Sequence, residues 1–113
     1  MKKKFITILF LLLFAGFISA QELPTITIIN NTGYTIYYMY VSPSSDDNWG
    51  KDCLGDSVLY DSGSFTVKLP YRLNQENRYD IKLVDEDDDA YTKMNILLNR
   101  QNNTVEFVFD DID

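Results

Sequence analysis

From residue 25 onward apolar side chains recur at every second position, with no stretch at the three-and-four spacing of a helix. Ile26 and Ile28 alternate with threonines over 25–30. Phe65, Val67 and Leu69 alternate with Ser64, Thr66 and Lys68, and Tyr79, Ile81 and Leu83 alternate with Asp80 and Lys82. Val105, Phe107 and Phe109 share one side of 104–109. Strand side chains point alternately to opposite faces, so each run predicts a strand with one face buried. Short apolar runs at 58–60 and 91–98 predict two more. The segment 34–41, YTIYYMYV, is β-branched or aromatic almost throughout, a composition that fits a pleated, packed surface. Strict alternation there sends Ile36, Tyr38 and Tyr40 one way and Thr35, Tyr37, Met39 and Val41 the other. Both faces need cover, which predicts a central strand.

Seven short strands spaced about ten residues apart predict an all-β protein, an antiparallel β-sandwich, with a partly closed β-barrel as the alternative. The breaks support this. Asn30, Asn31, Thr32 and Gly33 predict a tight hairpin turn in which Gly33 takes a positive φ, and 99–103 predicts another hairpin. Asn30-Asn31-Thr32 and Asn102-Asn103-Thr104 match glycosylation sequons, but both fall where a turn favours Asn anyway. Residues 42–55 carry no period, so a long loop is expected there, ordered by Trp49 and Leu54.

The chain opens MKKKFITILFLLLFAGFISA, three lysines followed by an uncharged apolar run and small residues. This predicts a secretory signal peptide over residues 1–20, cleaved after Ala20; the run is short of the ~20 residues that span a bilayer. Gln21 stands where a lipoprotein would need cysteine. A secreted or periplasmic single domain of residues 21–113 is expected. Its surface is strongly acidic: removing Lys2, Lys3 and Lys4 from ten basic residues leaves seven, against seventeen Asp and Glu. Nucleic acid and anionic membrane are poor partners for such a surface, whereas divalent cations and basic proteins suit it.

Two absences bound the chemistry. Cys53 is the only cysteine, so no internal disulfide forms, and it reads as a small buried hydrophobe or as a reactive thiol. With no histidine in the chain, Ser-His and Cys-His nucleophiles and histidine zinc sites are excluded. What remains for an enzyme is a carboxylate pair, and one small domain has little room for the cleft that such a pair needs. A non-enzymatic role is expected.

Acidic residues concentrate in two places. Asp85, Asp87 and Asp89 lie in a D-x-D-x-D run that a loop could turn toward Ca2+, although the spacing is not that of an EF-hand; a solvated acidic loop is the alternative. Asp46, Asp47 and Asp52 surround Trp49 on the long loop. They read either as turn caps or as a recognition surface for a basic partner anchored by Trp49. If every strand reverses direction, 85–89 and the acidic tail share one end and the Trp49 loop sits at the other. That arrangement depends on 58–60 being a strand.

The stretches NNTGYTIYYMYVSPSSDDNWG, DCLGDSVL, the Gly-Ser ahead of FTVKL, and YDIKLVDEDDDAYTK together resemble a family of small exported bacterial domains of unassigned function. In that pattern leucine stands more often at Cys53 and glycine at Asp88. The resemblance implies export and a β-sandwich, and no catalytic residues. The expected function is an exported binding or accessory module, Ca2+-stabilised through the acidic loop if that loop holds metal. The alternative is a protein-binding module, an inhibitor or adhesion accessory, that turns the Trp49 loop on a basic partner.

Overall fold

The computed structural model describes residues 22–113; the leader expected over residues 1–20 lies outside them. The fold is all-β, with two three-stranded sheets facing each other and not closed into a barrel. Strands β1 (Thr25–Asn31), β3 (Ser64–Lys68) and β6 (Thr104–Val108) form one sheet in the order β3-β1-β6. Strands β2 (Ile36–Pro43), β4 (Arg78–Asp85) and β5 (Ala90–Leu97) form the other in the order β2-β4-β5. All pairings are antiparallel except β1 with β6.

The alternating positions fill the space between the sheets. Ile26, Ile28 and Phe107 from one sheet meet Ile36, Met39, Tyr79, Ile81, Leu83 and Tyr91 from the other in a single core. Phe109 departs from the expected inward set. The chain leaves β6 through a 3-10 turn at Phe109–Asp111, where the Asp111 carboxylate accepts the Val108 amide at 2.8 Å. Phe109 is therefore exposed against Tyr34, with 5.9 Å between ring centres. The tail crosses to the other sheet, where Ile112 pairs with Tyr91 and the Asp113 amide reaches the Ala90 carbonyl at 2.8 Å.

Alternation fails in β2, and the reason is a bulge. Pairing with β4 slips by one residue between Ile36 and Tyr38, so Ile36, Met39 and Val41 all reach the core while Tyr37 and Tyr38 are both exposed. An extra residue lets two apolar side chains three positions apart share a face, and it keeps two phenol hydroxyls in water. Nor is β2 central. It is an edge strand whose free side is covered by residues 52–59: the Asp52 carboxylate accepts the Met39 amide at 2.9 Å, the Cys53 amide donates to the Met39 carbonyl at 2.7 Å, and Leu59 bridges Ile36. A protein cover of this kind blunts an edge that would otherwise template aggregation.

Two expected hairpins are instead crossings. β1 and β2 lie in different sheets, as do β5 and β6, and only β4–β5 turns back within its own sheet. The first crossing is held by Asn30, which is fully buried. Its Nδ2 donates to the carbonyls of Tyr34 at 2.8 Å and Leu59 at 3.0 Å, and its Oδ1 accepts the Thr32 hydroxyl at 2.7 Å. Asn30 is thus turn chemistry, as expected, and Gly33 takes φ +88° beside it. Residues 58–60 contribute one bridge rather than a strand, leaving six strands among the described residues. Because residues 44–63 still run the length of β2, the acidic turn at 85–89 and the start of the Trp49 loop lie at opposite ends of the sandwich.

Candidate functional site

Backbone amides at turns and edges lack strand partners, and an acidic chain supplies carboxylates for them. At least seven of the seventeen carboxylates accept such amides: Asp46, Asp52, Asp61, Asp80, Asp85, Glu86 and Asp111. The distinction that matters for function is between carboxylates committed to the fold and those left for a ligand.

Asp85 belongs to the first group. It is only 1% exposed; Oδ1 accepts the amides of Asp87 at 2.9 Å and Asp89 at 3.0 Å, and Oδ2 accepts the hydroxyl of buried Tyr91 at 2.8 Å. Burial first, and then the bond to Asp85, push the Tyr91 phenol far above its ordinary range. Asp87, Asp88 and Asp89 are exposed on the turn, with Asp88 at φ +63° in the left-handed region, which Asp tolerates better than most residues. Both oxygens of Asp85 are thus occupied within the fold. Among the described residues, no group of three or more Asp, Glu, Cys or His is arranged to hold a metal ion.

Asp52 is likewise committed, accepting the amides of Met39 and Leu54 at 2.9 and 3.0 Å. It pins the loop to β2, helped by Leu54, which is buried in the core. Cys53 packs beside them half-buried, and burial raises its thiol above the ordinary value, so little of it is nucleophilic thiolate at neutral pH. Trp49 is half-buried, between the exposed pair Asp46, Asp47 and Asp52. Asp46 caps the Asn48 amide at 3.1 Å through one oxygen.

Sequence reasoning did not anticipate Glu76 and Tyr71. The loop 71–77 packs beside the start of the Trp49 loop, and the two line a shallow, open cavity of about 410 Å3 formed by Pro43, Ser45, Asp46, Tyr71, Gln75 and Glu76. The Ser45 hydroxyl lies 3.1 Å from Glu76 Oε2, joining the two walls. The Ser44 amide and hydroxyl anchor the same corner to the Arg78 carbonyl at 2.9 Å and to buried Asp80 at 2.7 Å. Tyr71 presents 48% of its surface. The one ion pair among the described residues joins Lys93 and Asp111 at 3.4 Å, at the other end of the sandwich. Asp46 and Glu76 thus face the cavity without a cation. Only a polar connection was legible at 71–77, since nothing in its spacing says which loop it meets. No protein-family model, curated protein or solved structure matches the chain, so its function has to be read from these side chains.

Proposed function

We propose that the protein is an exported, non-enzymatic binding module that recognises a basic group of another protein at the end of the sandwich carrying the Trp49 loop. The observation that carries this reading is the cavity in which Asp46 and Glu76, each holding one hydrogen-bond donor, have no cationic partner among the described residues beside the exposed ring of Tyr71. Two carboxylates next to an aromatic face suit a guanidinium or ammonium group, which gains charge-assisted hydrogen bonds from the acids and cation–π attraction from the ring. Asp47 and half-buried Trp49, on the same loop, extend the surface around it. Export is supported by the lysine-led apolar leader, and a non-enzymatic role by the absence of histidine.

The test uses protein expressed from the complete sequence and purified in its exported form, with mass spectrometry giving the N-terminus. An acetylated tetra-arginine peptide is titrated in while backbone NMR shifts and the fluorescence of Trp49 are followed, with the tetra-citrulline peptide as neutral control. Saturable shifts centred on Asp46, Tyr71 and Glu76, weakened several-fold by Glu76→Gln, support the reading. Shifts spread evenly over 85–89 and the tail would mean attraction to net charge and would remove it.

A further inference from the structure

The loop 71–77 has a second side. Tyr71, Gln75 and Glu76 face the acidic cavity, while Arg72, Leu73 and Asn74 line another, open to solvent and of about 920 Å3, whose other walls are residues 22–25, among them the carboxylate-bearing Glu22, and Leu98, Asn99, Arg100 and Asn103. Its volume falls within the ~300–1,000 Å3 of small-molecule clefts. Arg72 and Arg100 both line it, two of the three arginines in a chain dominated by acids. Neither guanidinium has an ion-pair partner among the described residues, and both side chains are exposed. The third, Arg78, donates instead to the Asn95 carbonyl at 3.3 Å. Leu23, Leu73 and Leu98 give the same cavity an apolar wall.

The walls are built rather than loose. The Leu69 amide holds the Pro24 carbonyl at 2.8 Å, and Asn103 Nδ2 holds the Thr25 carbonyl at 3.1 Å, fixing the N-terminal segment. The Arg72 carbonyl accepts the amides of Gln75 and Glu76, and the Asn99 carboxamide accepts those of Gln101 and Asn102. Each arginine thus sits on a hydrogen-bonded turn, so a ligand would find the backbone already in place.

We infer that this cavity binds a small anionic amphiphile, a carboxylate or phosphate group carrying an apolar chain or ring. The anion is held between Arg72 and Arg100 and the apolar part lies on Leu23, Leu73 and Leu98. Arginine forks match the two oxygens of either anion. The ligand is a free molecule rather than one embedded in a bilayer, because the net negative charge of the protein opposes approach to an anionic surface. The site is separate from the acidic cavity and shares with it only the loop between them.

Octanoate is the probe, titrated by NMR into the exported protein, with octanamide as the neutral isostere and phosphatidylglycerol vesicles as the bilayer form of the anion. Saturable shifts confined to 22–25, 72–74 and 98–103 are expected. Octanamide should bind about tenfold more weakly or worse, as should octanoate to Arg72→Gln and to Arg100→Gln, in line with losing a charge-assisted hydrogen bond. Both arginines are exposed, so the variants keep the melting temperature of the parent. Glu76→Gln leaves octanoate binding unchanged, which separates failure here from failure of the acidic cavity. Equal binding of octanoate and octanamide, no saturation, or association with the vesicles in preference to free octanoate overturns the assignment.

Discussion

Replacing Asp85 by alanine tests whether the acidic turn is part of the folding machinery. The substitution removes the acceptor for three donors. Two are amides of the exposed residues Asp87 and Asp89, which water can partly satisfy, at a net loss of about 1 kcal/mol each. The third is the hydroxyl of Tyr91, which is fully buried and would keep only Thr32 as a neighbouring partner, adding about 1–3 kcal/mol for a polar group that loses its carboxylate acceptor. The total is about 3–5 kcal/mol, a large share of the ~5–15 kcal/mol that holds a domain folded. A urea titration followed by Trp49 fluorescence and by circular dichroism reads this directly. With a slope of ~1 kcal/mol per molar for a domain of this size, the midpoint should fall by about 3 M or more. Asp85→Asn keeps the Oδ1 acceptor and lets the Tyr91 hydroxyl turn to accept, so its loss should be about 1–2 kcal/mol. Tyr91→Phe orphans the Asp85 Oδ2 and should show coupling with Asp85→Asn in a double-mutant cycle. A loss under ~1 kcal/mol for Asp85→Ala, or strict additivity in the cycle, would refute a structural role for this carboxylate.

Other outcomes follow from the same structure. Melting in calcium, in magnesium and in EDTA should agree within about 2 °C; a site with millimolar-to-submillimolar affinity at a hundredfold excess would shift the midpoint by ~10 °C or more. Stability should fall from pH ~10 upward, because burial raises the Tyr79 phenol to about 12 and Tyr91 further, while the unfolded chain releases those protons near pH 10. Each tyrosine then removes about 1.4 kcal/mol per pH unit between its unfolded and folded values, measurable by urea titrations at several alkaline pH values. Tyr79→Phe should flatten that decline and raise stability by ~1 kcal/mol at neutral pH, since the Tyr79 hydroxyl is buried with no hydrogen-bond partner. Gly63→Ala should cost about 1–3 kcal/mol in the same titration, because a Cβ there would stand 2.9 Å from the Tyr60 carbonyl oxygen and 3.1 Å from Leu59 Cδ1.

Alternation made most of the core legible. Ile26, Ile28, Ile81, Leu83, Val105 and Phe107 are inside because a strand forces successive side chains to opposite faces, and period two can be read from one dimension. The strand at 34–41 misled because a bulge at Tyr37 changes the phase, and the trigger, pairing with β4, lies more than forty residues away. The carboxylates were legible as acidic loops but not in their roles. Asp85 and Asp52 look like Asp87 and Asp47 in sequence, yet only the first of each pair meets several unpaired amides. The acidic cavity was half visible, through Asp46, and its other half came from a loop with no periodic signal.

Local chemistry along the chain therefore determined the fold class, the inward-facing set in most strands, the turn at Gly33 and the excess of negative charge. Those properties depend on each residue's own conformational preference and on neighbours one or two positions away. Tertiary structure alone decided which strands share a sheet, which tyrosines face water, which carboxylates serve the fold, and that Asp46 and Glu76 line one cavity while Arg72 and Arg100 line another. Each of these depends on groups distant in sequence becoming neighbours, and a burial pattern of period two is equally well met by a strand's partner in either sheet.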